Sequence, residues 1–489
     1  LFTTRSLYTK AGFEVNQSIQ WRIISDDQCE EIVMSAMELL ERTGVDIMNA
    51  SARGICQKKG CWVEGNRVRI PSVKTEWALR CAPSRITVCN RKGNRAMLLE
   101  SNNVHFGPGF GNDMTIDVLS GEIKQTTKQN VMNIAKICDG LPNVDFLMNN
   151  GIPTDVKKEA AELHAFESLA TYSEKPIVQE VKNAKQAQAV IDMAAAIAGS
   201  LENLQKNPFV VLYVHNDEAL IETAEAAEII MLAAKNNIPV VCSNNLITGL
   251  TAPQESAGAL VVAVANALGA LVLSQLTKEG APFITGSFFS INDTKNNVVP
   301  YGAPETSLLG TSMANILRYL RIPSFGFAGG SDAKVSDAQM GLEAAFSVLH
   351  AGLAGTSMIY GAGQMESGLL SSPYLIVMAE EIMGMTKRIM RGVEMDEDRL
   401  CRGVIDDVQP GGHYLGSPHT RYYFKDEQFW PTLMNRNRID DWIAAGSRTL
   451  GERTTKKTQD LLNFYQGNVL NDDTLAQIKD ILAKAEKNM

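Results

Sequence analysis

Seven short segments of the chain concentrate glycine, amide, hydroxyl and acidic residues. They read GPGFGN at Gly107 to Asn112, NNG at Asn149 to Gly151, HND at His215 to Asp217, SNN at Ser243 to Asn245, GSFFS at Gly286 to Ser290, GGSDAK at Gly329 to Lys334 and GAGQMESG at Gly361 to Gly368. Glycine permits positive φ and close approach to the backbone, so loops of this kind suit a broad, flat ligand. Taken singly, each could equally be a glycine turn. Aromatic residues fall in or beside these segments: Phe110, Tyr213, Phe288, Phe289, Phe327 and Tyr360. Their faces attract cations, each contact contributing about 0.5–2 kcal/mol, and a quaternary ammonium has no hydrogen bond to offer instead. Packing beneath the loops is the alternative for any one ring.

Other chemistries find less support. His413 and His419 lie outside H-E-x-x-H spacing with no cysteine pair nearby, so zinc is not expected. Asp332, Asp337 and Glu366 could hold a hard cation if they converged, or else cap helices and orient polar groups. No G-x-S-x-G elbow and no cysteine with a histidine beside it point to acyl transfer. No G-x-G-x-x-G turn follows a strand, which argues against a nicotinamide cofactor. With 46 basic and 55 acidic residues the formal charge is -9, which disfavours nucleic acid as a partner. The eight cysteines include no C-x-x-C pair, so a reduced, cytoplasmic protein is expected.

No apolar segment of signal-peptide length opens the sequence, and SLYTKAGF near its start is similar both to a cloning scar and to a native terminus. The run Ala257 to Leu273 approaches membrane-span length. Asn266 interrupts it, and its small residues suit packing inside a soluble protein, so no membrane partner is expected.

Three regions must position these residues. In 1–103, Ser25 with Gln28 forms a capping-box pattern, and short β-like runs lie at Cys61 to Val63, Val68 to Ile70 and Ile86 to Cys89, giving a small α+β module. Across 104–391, apolar runs alternate with helical stretches such as the one carrying Ala187, Val190, Ala194 and Ile197 on one face. The runs are Val104 to Gly107, Asp145 to Asn149, Pro176 to Val181, Phe209 to Val214, Pro239 to Cys242, Phe283 to Gly286, Pro323 to Ala328 and Thr356 to Tyr360. Eight such units predict a parallel sheet closed into an α/β (β/α)8 TIM barrel, with a doubly wound open sheet as the alternative. Region 392–489 reads as a helical extension packed on the barrel.

The segments GGSDAKVSDAQ (Gly329 to Gln339), YGAGQMESG (Tyr360 to Gly368) and DDVQPGGHYLGSPHT (Asp406 to Thr420) resemble the trimethylamine methyltransferase superfamily, the MttB family. YGAPE at Tyr301 to Glu305 and ERTGV at Glu41 to Val45 extend the resemblance over roughly Ser25 to Leu462. It implies a barrel that moves a methyl group from a methylamine to the Co(I) corrinoid (cobalamin) of a separate, transiently bound protein, without S-adenosylmethionine, NAD or zinc. The founding members carry pyrrolysine at a position that falls near Gly330; this chain has an ordinary residue there, which favours the branch using quaternary amines such as glycine betaine, proline betaine or carnitine.

The resemblance accordingly implies a reacting centre at Gly330, Asp332 and Glu366. Phe110, Tyr213, Phe288 and Tyr360 would surround the ammonium, and Asn244, Asn245, Lys334 and His413 would face the anionic end. Gly107, Gly109, Gly361, Gly363, Gly411 and Gly412 would line the corrinoid's approach. A homo-oligomer is also expected. A metal-dependent barrel lyase or aldolase, and a non-catalytic betaine-binding protein, are the alternative functions.

Overall fold

Strands buried on both faces lack polar alternation, and Phe283–Ile291 illustrates this: eight of its nine residues are buried. The computed structural model describes residues 21–489 and places this strand in a seven-stranded parallel sheet; the ambiguous SLYTKAGF stretch lies outside the described residues. The sheet order is His105–Pro108, Met358–Ala362, Ser324–Phe327, Phe283–Ile291, Val240–Thr248, Val210–Asn216 and Ile177–Glu180. Parallel neighbours need crossovers, which the sequence supplies as capped helices. Ala184–Ala198, for example, starts at Asn183, whose side chain accepts from the Gln186 amide, and stops at left-handed Gly199.

The eighth expected strand, Asp145 to Asn149, does not form. Leu147 alone bridges to Ile177. The Phe106 carbonyl accepts from both the Asp145 amide at 2.7 Å and the Phe146 amide at 3.4 Å, so two residues are used without advancing the ladder. On the other side, the Leu147 amide donates to Pro176 O and the Val178 amide to Leu147 O, both at 2.8 Å. This segment therefore touches both edge strands of the sheet.

The inner face of the sheet is filled from one end by the hairpin Ile86–Cys89 and Arg95–Leu99. Ile86, Val88, Met97 and Leu99 share a core with Phe146, Val178, Val211, Val241, Ile284 and Met358. The hairpin enters beside the strand N-termini, where the Cys89 amide donates to Pro208 O and the Arg91 amide to Glu174 O. Sequence reading placed Ile86 to Cys89 within the N-terminal module; in the structure it plugs the sheet. The helix Ser256–Thr277 is long and apolar enough to span a bilayer, but 72% of its apolar window is buried, and it packs against the helix Asp26–Arg42.

Strands Val45–Ile47, Arg67–Arg69 and Trp62–Glu64 form a second sheet, which gains Ile221–Glu222 in parallel with Val45–Ile47. This pairing anchors the chain just beyond Asn216. Further on, Leu450–Phe464 packs on Pro373–Met390, and Asp472–Lys487 packs on Ala184–Ala198.

Glu222, at 5% exposure, accepts from Asn216 Nδ2 at 3.0 Å. Burial pushes its carboxyl up to about 7. Because the folded protein favours the protonated form, the stabilising contribution is full at acid pH and is lost as pH climbs from the usual carboxylate range through about 7. Glu222→Gln should leave stability nearly unchanged at acid pH and raise it in alkaline buffer by up to about 3 kcal/mol. Thermal unfolding at several pH values measures this; a difference independent of pH would show that the carboxyl carries no such penalty.

Candidate active site

All seven strands run the same way, so their C-terminal ends and following loops share one mouth. The period of two decides which residues reach it. Tyr213 and Tyr360, nearly fully buried, lie on the inner face. Phe110 packs on Tyr213 at 4.4 Å and on Tyr360 at 5.2 Å between ring centroids. Tyr360 meets Phe327 at 5.6 Å, Phe327 meets Phe288 at 5.1 Å, and Tyr301 meets Phe288 and Phe327 at 4.9 Å each. Phe325 stacks on Tyr360 at 4.5 Å and meets Tyr213 at 5.5 Å, so seven rings form one continuous set, tilted or edge-on except for that stacked pair. Burial raises the phenols of Tyr213 and Tyr360 above their ordinary range and pushes Tyr301 up to about 12, with the Asp332 charge adding to the last. These groups are neutral hydroxyls at physiological pH. Phe289, expected among the mouth aromatics, is one residue out of phase and packs in the core beneath the helices.

A polar group adjoins the rings at Tyr213. Glu180, 9% exposed, ends its strand with Oε1 3.7 Å from His215 Nδ1. His215 Nε2 lies 3.7 Å from Asp217 Oδ2, and Asn245 Nδ2 donates to Asp217 Oδ1 at 2.6 Å. The His215 and Tyr213 rings are 5.8 Å apart, which joins this group to the aromatic set. Burial raises the Glu180 carboxyl, with His215 and Lys182 opposing the shift and Glu162 and Asp217 adding to it. Asn150 Oδ1 and Gln364 Oε1 are buried without hydrogen-bond partners, and Asn150 Nδ2 approaches the Gly109 and Phe110 carbonyls at 3.5 and 3.4 Å.

The structure redistributes several expected roles. Asn244 shares its strand face with Cys242 and Leu246, which pack beneath the helices, and only Asn245 shares the inward face with Val241. Lys334 is exposed, its Nζ donating to Asp332 O in its own loop at 2.7 Å. Asp332 accepts from the Tyr301 and Gly302 amides, each at 2.8 Å, and from Ser367 Oγ at 3.1 Å, and so holds the Tyr301 loop in place. Asp337 caps the helix Ala338–Ala354. Glu366 sits in a left-handed turn with φ 51°.

The glycines of the mouth are filled in. A Cβ on Gly107 would lie 2.4 Å from the Phe146 ring, one on Gly109 2.3 Å from Gln364 Oε1, and one on Gly361 2.6 Å from Ala328 O. On Gly363 it would meet Ile376 at 2.6 Å. These four glycines let the protein's own groups close on one another and do not present open backbone to a flat ring. Gly330 is buried, and its Cβ would fall 2.5 Å from Phe327 Cζ, so the Phe327 ring occupies the space a side chain there would enter.

Gly411, Gly412 and His413 are exposed. The helix Pro373–Met390 runs from the mouth toward the opposite end, where Lys387 Nζ donates to Asp145 at 2.9 Å. There Arg388 and Arg391 bond Glu427 and Asp426. The segment bearing these two glycines and His413 leaves and rejoins the body of the protein at that end.

Glu180, Tyr301 and Gln364 were not singled out as site residues by sequence. A carboxylate closing an otherwise apolar strand was the available signal for Glu180; Tyr301 and Gln364 lay inside the motifs but gave no hint of their neighbours.

The model of the family described as trimethylamine methyltransferase (MTTB) matches residues 5–489. The chain belongs to the trimethylamine methyltransferase family. It is 30% identical over 465 residues to the trimethylamine methyltransferase MttB of Desulfitobacterium hafniense (strain DSM 10664 / DCB-2), covering 94% of this chain and 93% of that one. Identity to the glycine betaine methyltransferase of Desulfitobacterium hafniense (strain Y51) is 27% over 474 residues, covering 96% and 98%. The solved Methanosarcina barkeri monomethylamine methyltransferase (MtmB) superposes with a TM-score of 0.44 at 14% identity, covering 98% of this chain and 99% of that one. As a member of this family the protein is a methyltransferase of the methylamine group.

The contact between Phe327 and Gly330 is testable in this family member. Gly330→Ala should push the Phe327 ring from its seat and lower stability by about 1–3 kcal/mol. The same change made in a Phe327→Ala background should cost far less, because the obstructing ring is gone. Denaturant unfolding of the four proteins in the cycle checks it; equal costs in both backgrounds would mean that the ring and Gly330 do not interact.

Proposed function

We propose that the protein transfers a methyl group from a betaine-type quaternary amine to the Co(I) corrinoid of a partner protein. The observation that carries this reading is the joined set of seven rings, with His215 and the Glu180 carboxyl beside it at Tyr213. Rings and oxygen dipoles suit a cation that cannot donate a conventional hydrogen bond. The filled space at Gly330 supports the branch without pyrrolysine, and the likeness to a glycine betaine methyltransferase points the same way. We also read the sheet as a (β/α)8 barrel with Asp145 to Asn149 as its reduced eighth stave, because that segment hydrogen-bonds toward both edge strands.

A quaternary nitrogen already carries an activated methyl group. The C–N electron pair returns to nitrogen as a neutral tertiary amine leaves, and the cobalt electron pair forms the new bond to carbon. No proton needs to move. The protein's task is to exclude water and to hold the methyl in line with its acceptor, at a near-attack distance of about 3–3.5 Å. Positive charge on nitrogen falls during transfer, so an overly strong cage would favour substrate over transition state. Neutral phenols, neutral amides and a carboxyl disfavoured from ionising make a cage of moderate strength. The acceptor is a substrate carried by another protein, and the filled glycine loops fit an acceptor that docks at the mouth rather than residing within it.

Methylcobalamin formation from glycine betaine, proline betaine, carnitine, choline and trimethylamine, with reduced corrinoid as acceptor, tests the reaction. A betaine should be the best donor; turnover of trimethylamine as fast as every betaine would overturn the reading. Phe288→Leu or Tyr360→Leu should weaken donor binding by about 0.5–2 kcal/mol, measured by calorimetry. Ionised Glu180 favours a cation, and its carboxyl is raised in the free protein, so affinity should rise with pH above the ordinary carboxylate range. Glu180→Gln should flatten that rise, and a rise that persisted would assign it to another group.

A further inference from the structure

The helix Ala50–Lys58 ends in a turn whose geometry brings two cysteines together. Gly60 follows the cap residue Lys59 with φ +95°, a conformation that glycine adopts without steric cost. The Gly60 amide donates to Gln57 O at 3.1 Å and the Cys61 amide to Cys56 O at 2.9 Å. These are the paired bonds of a Schellman turn, in which the side chain near the helix end commonly packs on the one just beyond the glycine. That contact is usually apolar. Here it brings Cys56 and Cys61, both buried, beside each other.

The two sulfurs are not equivalent. The adjoining Cys61 thiol and burial hold the Cys56 thiol far above its ordinary range. The adjoining Cys56 thiol, assisted by the Lys74 charge, lowers Cys61 despite its own burial. Cys61, which lines the neighbouring cavity as Cys56 does not and has the Lys74 charge near it, is the sulfur that a small oxidant meets first. A cavity of about 530 Å³, lined by Gln57, Cys61, Trp62, Arg67 and Arg69, reaches Cys61 and is ample for a molecule as small as a peroxide. Methyl transfer at the mouth uses neither sulfur.

We propose that Cys56 and Cys61 are a peroxide-oxidisable dithiol, with Cys61 the sulfur attacked and Cys56 the sulfur that resolves it. The Cys61 thiolate attacks hydrogen peroxide, an S–O bond forms as the O–O bond breaks, and the departing hydroxide takes a proton and leaves as water. Cys56 sulfur then displaces the hydroxyl from Cys61; the S–S bond forms and a second water leaves. In sum, two thiols give up two electrons and two protons while one peroxide becomes two waters.

The test treats the full-length protein with a slight molar excess of hydrogen peroxide, alkylates the remaining thiols under denaturing conditions and digests with trypsin without reductant. Trypsin cuts after Lys58 and Lys59, so only a disulfide keeps the Cys56 and Cys61 peptides together. Mass spectrometry should find the linked pair as the major form of both cysteines, and dithiothreitol should abolish it. Cys61→Ser should remove the linkage, while Cys56→Ser should leave a sulfenic acid on Cys61 that dimedone captures. Recovery of both cysteines fully alkylated, while the more exposed Cys81 and Cys401 are oxidised, would overturn the proposal. The wild-type peptides decide it even if a variant fails to fold.

Discussion

Parallel register between Val240–Thr248 and Phe283–Ile291 is the constraint on which the site depends. Nine residue pairs run in step along these strands, from Val240 with Phe283 to Thr248 with Ile291. Asn245 pairs with Phe288, on the inner face, and Asn244 with Ser287 on the outer. A slip of one residue would exchange those faces and put Phe289 in the ring set in place of Phe288. The long helix Ser256–Thr277 crosses between the two strands, and its burial against Asp26–Arg42 leaves little freedom for such a slip.

The inner face of the sheet serves two purposes along one axis. At the strand N-termini it is dry and aliphatic, filled by the hairpin residues Ile86, Val88, Met97 and Leu99. At the C-termini it becomes aromatic and then polar, ending at Glu180, His215 and Asn245. Leaving a buried polar group without a partner costs about 1–3 kcal/mol, a cost that the oxygens of Asn150 and Gln364 each carry. Ring pairs contributing about 0.5–1.5 kcal/mol each offset part of it.

Rigidity at the mouth comes from loops tied to one another rather than from the strands alone. Gln364–Met365, Leu370–Ser371, Met114–Ile116 and Ile123–Gln125 form a small sheet that joins the loops after the first and last strands of the main sheet. Asp332 ties the Tyr301 loop to Ser367 in the same way. The motifs GGSDAK, YGAPE and GAGQMESG are thus one hydrogen-bonded unit, although about sixty residues separate the first and last of their glycines and acids along the chain.

Local physics made much of this legible from sequence. Apolar runs marked the seven paired strands, the Ser25–Gln28 capping box opened a helix as read, and glycine-rich segments marked the strand ends. Such signals need only a few neighbouring residues. The inward or outward facing of Asn244 and Asn245, or of Phe288 and Phe289, depends on register against another strand, which composition does not encode. Asp145 to Asn149 resembled a strand by composition and was stopped by a carbonyl on a different one, that of Phe106. Glu180 became a buried acid only when Ile177–Glu180 and Val210–Asn216 paired and brought His215 beside it. Gly411 to His413 carried a clear motif, yet their place was decided by the direction of Pro373–Met390 and the ion pairs at its far end. Sequence by itself determined the elements and the family; tertiary pairing alone decided which side chains meet, because faces and distances are properties of two segments and never of one.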